Sequence, residues 1–175
     1  MSQLLLVIFA FLLLDAAVLA SINYLPWWTK GATDTERMVR TSATNLEQAY
    51  TLVTRANNGT PPVVLGGNAD GGLSVNFSSV LPLAPASPEG FAWSYGQHPI
   101  DGSAYSGLNY FCMSNPARLS QAHYQGIMRA KAVFGTSQAI FSDTCGSTVE
   151  TRSDDGRPSR GALTLYVNYI PGVTP

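Results

Sequence analysis

The chain has 175 residues, of which 45% are hydrophobic and 12% charged, with 10 Lys and Arg against 11 Asp and Glu. A formal charge of −1 leaves no cationic excess to neutralise a phosphate backbone, which argues against nucleic acid as a partner. Abundant aromatic and β-branched residues at low net charge exclude the disordered class, and the length suits a single domain.

Between Met1 and Thr29 the only ionisable side chains are Asp15 and Tyr24, and the segment Leu4 to Leu25 reads LLLVIFAFLLLDAAVLASINYL. A helix of that length spans about 33 Å against a hydrocarbon core of about 30 Å, which is the length of a membrane segment. A carboxylate at its middle, Asp15, costs about 2.5–3.5 kcal/mol on the insertion scale. The surrounding Leu, Ile, Val and Phe residues outweigh that cost, provided the acid finds a polar contact within the membrane. Trp27, Trp28 and Lys30 follow as interface anchors, with amphipathic rings at headgroup depth. Residues 1–29 are therefore expected to be a transmembrane or filament-core segment, and 30–175 a globular head. A second reading makes Leu4 to Leu14 the apolar core of a secretory signal, with cleavage after Ala20 releasing a secreted binding or adhesion domain.

Orientation rests on two opposed signals. Lys30, Arg37 and Arg40 all follow the span, which by itself places the head in the cytoplasm. Cys112 and Cys145 are the only cysteines, with no CxxC and no neighbouring His to suggest zinc. In an oxidising compartment they would close one loop; otherwise they are two unrelated buried thiols.

The head opens on an amphipathic helix. Thr33 and Glu36 have capping-box spacing, and Val39, Ala43, Leu46, Tyr50 and Val53 recur at intervals of four and three on one face. Asn57-Asn58-Gly59 followed by Pro61-Pro62 is a stop. With only Pro26 and Gly31 interrupting, a continuous or kinked rod is expected from residue 4 to about 57. Beyond it the period changes to two, in short runs at Val63–Leu65, Leu73–Phe77, Phe91–Tyr95, Leu108–Met113, Ala139–Phe141 and Leu163–Tyr169, which predict an antiparallel sheet. Pro82, Pro85 and Pro88 form a stiff connector. A second helix is expected over Pro116–Phe134, capped by Ser114 or Asn115, with Leu119, Ala122, Ile127, Ala130 and Val133 as its apolar set. Gly126 inside it costs about 1 kcal/mol relative to Ala unless something packs closely there. Asp155-Gly156 marks the turn of a charged hairpin tip between the last strands.

Chemistry-bearing motifs are sparse. His98 and His123 lack a carboxylate or cysteine at ligand spacing, so no metal and no cofactor is expected. Neither a nucleophile elbow nor a phosphate-cradling loop occurs, and no enzymatic activity is expected. In the secreted-domain reading Trp93, Tyr95 and Tyr105 would be stacking platforms for a carbohydrate; the period-two alternation instead puts Phe91, Trp93 and Tyr95 on one core-facing side of a strand.

An apolar N-terminal segment running into an amphipathic helix up to Asn57, then an antiparallel sheet, and a cysteine pair toward the C-terminus is similar to the plan of type IV pilins and pilin-like proteins. Leu5 stands where a mature pilin has Glu, so the chain equally resembles the PilM-type membrane-anchored accessory proteins of type IVb conjugative pili. The resemblance implies a pilin-like α+β fold, in which the long helix packs on the sheet and Cys112 with Cys145 staples a loop. It implies a non-enzymatic role in pilus or secretion-filament assembly, with a single-pass anchor in the bacterial inner membrane and the head periplasmic or extracellular. The implied partners are other pilins or pilus-assembly proteins, inner-membrane lipid, and further copies of the chain in an oligomer or filament.

Overall fold

The apolar stripe from Val39 to Val53 lies on the longest helix among the described residues, α1 (Pro26–Ala56), 31 residues or about 46 Å at 1.5 Å per residue. The structure, a computed structural model, describes residues 13–15, 17, 18, 26–62, 64, 71–135, 138–151 and 160–167. Val39, Ala43, Leu46, Tyr50 and Val53 are all buried, while Arg37, Thr41, Thr44, Gln48 and Thr51 on the opposite side are exposed. The expected stop operates at the C-terminus. Asn58 adopts a left-handed φ of 55°, and the N–H groups of Asn58 and Gly59 close back on the carbonyls of Arg55 and Thr54 at 3.3 and 2.8 Å. These are the paired bonds of a Schellman cap, and they satisfy carbonyls that the helix leaves open.

The N-terminus departs from expectation. Thr33 caps nothing: its hydroxyl donates to the Thr29 carbonyl one turn back, and Glu36 pairs with Arg40 at 3.3 Å. The helix runs on through Gly31 because that residue packs against a second helix, where an added Cβ would lie 3.3 Å from Ala122 Cβ. Of the rod expected from residue 4, positions 13–15, 17 and 18 are helical and α1 begins at Pro26; the others of 1–25 lie outside the described residues.

One expectation is overturned. No helix among the described residues is long and apolar enough to cross a membrane, so the single-pass anchor in the bacterial inner membrane, with its periplasmic or extracellular head, is not supported. In α1 the physical reason is plain: its apolar residues occupy one stripe, and Lys30, Asp34, Glu36, Arg37 and Arg40 fall within its first half. Burying those charges in hydrocarbon would cost several kcal/mol each.

Leu73–Phe77, predicted as a strand, is a short helix, α2. Leu73, Val75 and Phe77 suit either period over five residues, and exposure decides between them. Leu73 and Phe77 are buried one turn apart, whereas Val75 is 53% exposed, as helical spacing requires. Gly71 and Gly72 at positive φ turn the chain into it, and the Asn76 amide groups, backbone and side chain, both donate to the Gly72 carbonyl.

Four strands follow among the described residues: β1 (Ala92–Gln97), β2 (Asn109–Asn115), β3 (Ala139–Ser142) and β4 (Gly161–Tyr166). They form one antiparallel sheet in the order β1-β2-β4-β3. Of the expected run 63–65 only Val64 is described, partly buried against the core, and Asp155-Gly156 lies outside the described residues. The third helix, α3 (Gln121–Phe134), starts five residues later than the Pro116 signal. Asn115 closes a local turn, accepting from the Ala117 N–H at 2.7 Å, and Ser120 is the cap, accepting from the His123 N–H at 3.1 Å. Leu119 is buried ahead of the helix, and Val133, expected to face inward, is exposed.

Both long helices cover the same face of the sheet, which makes the architecture α+β. Tyr50 of α1 lies 6.4 Å from the rings of Tyr95 and Phe111, and Tyr124 of α3 lies 5.7 Å from Phe141. Phe91, Trp93 and Tyr95 all face this core, as their alternation predicts, with Phe77 set edge-on to Tyr95 at 5.1 Å. Burying each such side chain contributes about 1.5–3 kcal/mol. The close approach of α1 to α3 explains Gly126: an added Cβ would meet Thr35 Cβ at 2.5 Å and the Ala32 carbonyl oxygen at 2.6 Å.

Candidate functional site

With the helices on one side, the other face of the sheet is left to loops. The register aligns Ser94, Cys112, Thr164 and Ile140 across it, and Gly96, Tyr110 and Tyr166 in the next row. Cys112, fully buried in β2, bonds to Cys145 on the exposed segment after β3, with their Cα atoms 5.7 Å apart and 33 positions between them in sequence. The bond lays residues 143–147 against the outer face. Gly146 N–H donates to Thr164 Oγ1 at 3.0 Å, and the Tyr166 hydroxyl donates to the Gly146 carbonyl at 2.8 Å. The side chain of Tyr110 fills the space between Gly96 and Gly146, so an added Cβ at either would strike it.

His98 enters this cluster from the loop after β1. Its Nδ1 lies 3.0 Å from the Gly146 carbonyl oxygen and 3.4 Å from the Tyr166 hydroxyl, and its Nε2 lies 3.1 Å from Asp101 Oδ2. Asp101 is held by its own turn: hydrogen bonds from the Ser103 side chain and N–H, then the contact with His98, lower its pKa to about 2. Tyr105 closes the loop onto the sheet with its ring 4.5 Å from that of Tyr166. Burial raises the Tyr166 phenol well above its ordinary value, reinforced by Tyr110, Tyr105 and Asp101, so the group stays a neutral donor. A carboxylate, an imidazole and a phenol thus meet on one surface, joined by hydrogen bonds to the disulfide-stapled loop.

The other residues singled out in the sequence are dispersed. Trp93 and Tyr95 are core residues, not stacking platforms: Trp93 Nε1 donates to the Ala86 carbonyl at 3.0 Å and the Tyr95 hydroxyl to that of Pro62 at 2.9 Å. Tyr105 is half-buried on Tyr166. His123, on α3, stands edge-on to Phe91 at 6.1 Å. Asp15 is exposed within its helical stretch, and Lys30 is exposed in the first turns of α1. Trp27 and Trp28 belong to the backbone of α1, and their side chains lie outside what is described. Among the described residues no group of three His, Cys, Asp or Glu side chains is placed to hold a metal ion.

Two features escaped the sequence. The His98–Asp101 pair has an i, i+3 spacing that is legible, but only the return of β4 and the disulfide loop gives it partners. Lys131, on α3, is nearly buried and pairs with Glu150 at 3.1 Å, tying the segment after β3 to the helical layer. The surfaces among the described residues that are open enough to receive a partner include the following pair. One is the open polar side of α1, formed by Glu36, Arg37, Arg40, Thr41, Thr44 and Asn45. The other is a groove of about 320 Å³ between α2, the Pro82–Pro85 connector and the Phe91–Trp93 stretch. No protein-family model matches this chain, and no curated protein or solved structure matches it either.

Proposed function

We propose that this protein is a non-catalytic, pilin-like subunit or accessory protein of a type IV pilus or a related secretion filament, acting through contacts of its long helix and its head. Its partners in this reading are pilins, pilus-assembly proteins, or further copies of the chain. The observation that carries the reading is α1. It is 31 residues long, one stripe is spent on the core, and its polar side between Thr33 and Asn45 is open. Its first turns pack against α3 through Gly31, Ala32 and Thr35, and the opposite, polar side of the same turns is what another molecule can reach. The stapled loop on the far side of the sheet supports the same reading, since it fixes the surface opposite the helices.

A photo-cross-linking amino acid placed at Arg37 or Thr44 in the native host tests this. The expected result is covalent adducts with pilins, with pilus-assembly proteins or with another copy of the chain, and loss of surface filaments when the gene is deleted. Absence of such adducts together with unchanged filament number would refute it.

A further inference from the structure

Both ring nitrogens of His98 face acceptors. Nδ1 points at the Gly146 carbonyl at 3.0 Å, a group that only accepts, and Nε2 at the Asp101 carboxylate at 3.1 Å. A neutral imidazole has one N–H and satisfies one of these contacts; only the imidazolium, with two, satisfies both. Within the described residues the titratable groups around it are Asp101 and Tyr105 from its own loop and Tyr166 from β4. Tyr110 of β2 stands behind Tyr166 with ring centroids 5.7 Å apart, and the stapled loop contributes the carbonyls of Gly146 and Ser147. No cation other than the imidazole itself takes part in these contacts.

We infer that Asp101, His98 and the Gly146 carbonyl form a proton-operated latch, which fastens the 99–107 loop to the disulfide-stapled loop while the imidazole is doubly protonated and slackens when it gives up one proton to solvent. The neighbouring phenol makes the release larger than one bond. With the proton gone from Nδ1, a lone pair faces the Gly146 oxygen, and the nearest donor is the Tyr166 hydroxyl at 3.4 Å. Turning that hydroxyl to Nδ1 withdraws it from the Gly146 carbonyl, which it holds at 2.8 Å in the latched state. The loop so released carries Ile100, 91% exposed at its tip, and Tyr105 packed on Tyr166. The latch therefore governs how firmly an exposed apolar tip is held over the outer face of the sheet. It stands on this geometry alone, independently of any role in filaments.

The test is amide hydrogen exchange of the full chain between pH 5.5 and 7.5, corrected for intrinsic rates, alongside the NMR titration of the His98 ring. Imidazoles titrate in this range. The N–H groups of Ser106, Gly107 and Leu108, bonded within the loop, and of Gly146, bonded to Thr164, are the reporters. Protection is expected to fall about three- to tenfold as pH rises, the size of losing one charge-assisted hydrogen bond discounted for solvent at half-exposed Asp101. The midpoint should coincide with the ring titration. In His98→Gln and in Asp101→Asn the step should vanish. Protection that is flat in the wild type, or a step that survives in both variants, overturns the latch. Should His98→Gln fail to fold, Asp101→Asn decides, because its side chain is 46% exposed and its replacement disturbs no core packing.

Discussion

The contact between α1 and α3 yields the most demanding prediction, because two effects of opposite sign meet at Gly126. In an exposed helix Gly→Ala stabilises by about 1 kcal/mol through backbone entropy and helix propensity. At this position the new methyl would lie 2.5 Å from Thr35 Cβ, 2.8 Å from Thr35 Cγ2 and 2.6 Å from the Ala32 carbonyl oxygen. The first and last of these atoms are fixed to the α1 backbone, so relief requires the helices to separate. Overpacking of a tight core costs about 1–3 kcal/mol. Three simultaneous clashes, two of them against backbone-fixed atoms, put Gly126→Ala at the upper end, about 3 kcal/mol, and subtracting the propensity gain leaves about 2 kcal/mol of net destabilisation. Urea unfolding followed by far-UV circular dichroism measures it, with Val133→Ala on the exposed side of the same helix as the control for propensity. Val133→Ala should change stability by less than about 0.5 kcal/mol. A Gly126→Ala protein that is more stable than wild type would show that α1 and α3 do not approach as closely as described, and would refute the reasoning.

Three further outcomes follow from other parts of the fold. Replacing both cysteines, Cys112→Ala with Cys145→Ala, should cost about 4 kcal/mol on the chain-entropy model for a loop of this length; a loss below about 1 kcal/mol by urea titration would mean that the unfolded chain is not constrained by the bond. Burial raises the Glu47 pKa, against the smaller opposing effect of the hydrogen bond from Gln138. Its stabilising contribution is thus full below the unfolded value near 4.5 and is lost as pH rises through the folded one. Glu47→Gln should accordingly be more stable than wild type at pH 7 and equal to it at pH 4, as read by thermal melts at both. Asp101 has the reverse sign: its pKa lies near 2, so its contribution is full above the ordinary carboxylate value and disappears as pH falls through about 2. Carbon-13 titration of its carboxyl should show Ser103→Ala moving that value back up, and an unchanged midpoint would remove Ser103 as the cause.

How much of this was visible in the residues varies with the length of the pattern. The stripe from Val39 to Val53 covers four turns, and over that length only a helix keeps all five residues on one side; all five are buried. Its stop at Asn58-Gly59 was equally legible, since only residues tolerant of a left-handed backbone close a helix in this way. The alternation of Phe91, Trp93 and Tyr95 likewise predicted their burial. Leu73–Phe77 was misread because five residues are too few to separate a period of two from one of 3.6. The capping signals at Thr33 and Pro116 were overridden by packing: Gly31 against Ala122 extends α1 upstream, and Asn115 spends its side chain on a local turn that delays α3 to Ser120.

The outer-face cluster was illegible for a different reason. His98 and Tyr166 are 68 positions apart and Gly146 is 48 from His98, and no local pattern links them. They meet because the sheet order places β4 beside β2 and because the disulfide brings the segment after β3 back across the face. Short-range patterns, the helical stripe, its stop and the strand alternation, were determined by the sequence by itself, because each depends on backbone geometry within a few residues. Strand order, the glycine-mediated approach of α1 to α3, the protonation demands on His98 and the surfaces left exposed were decided only by the tertiary structure, because each depends on which distant groups fill the remaining space and which polar atoms they must satisfy.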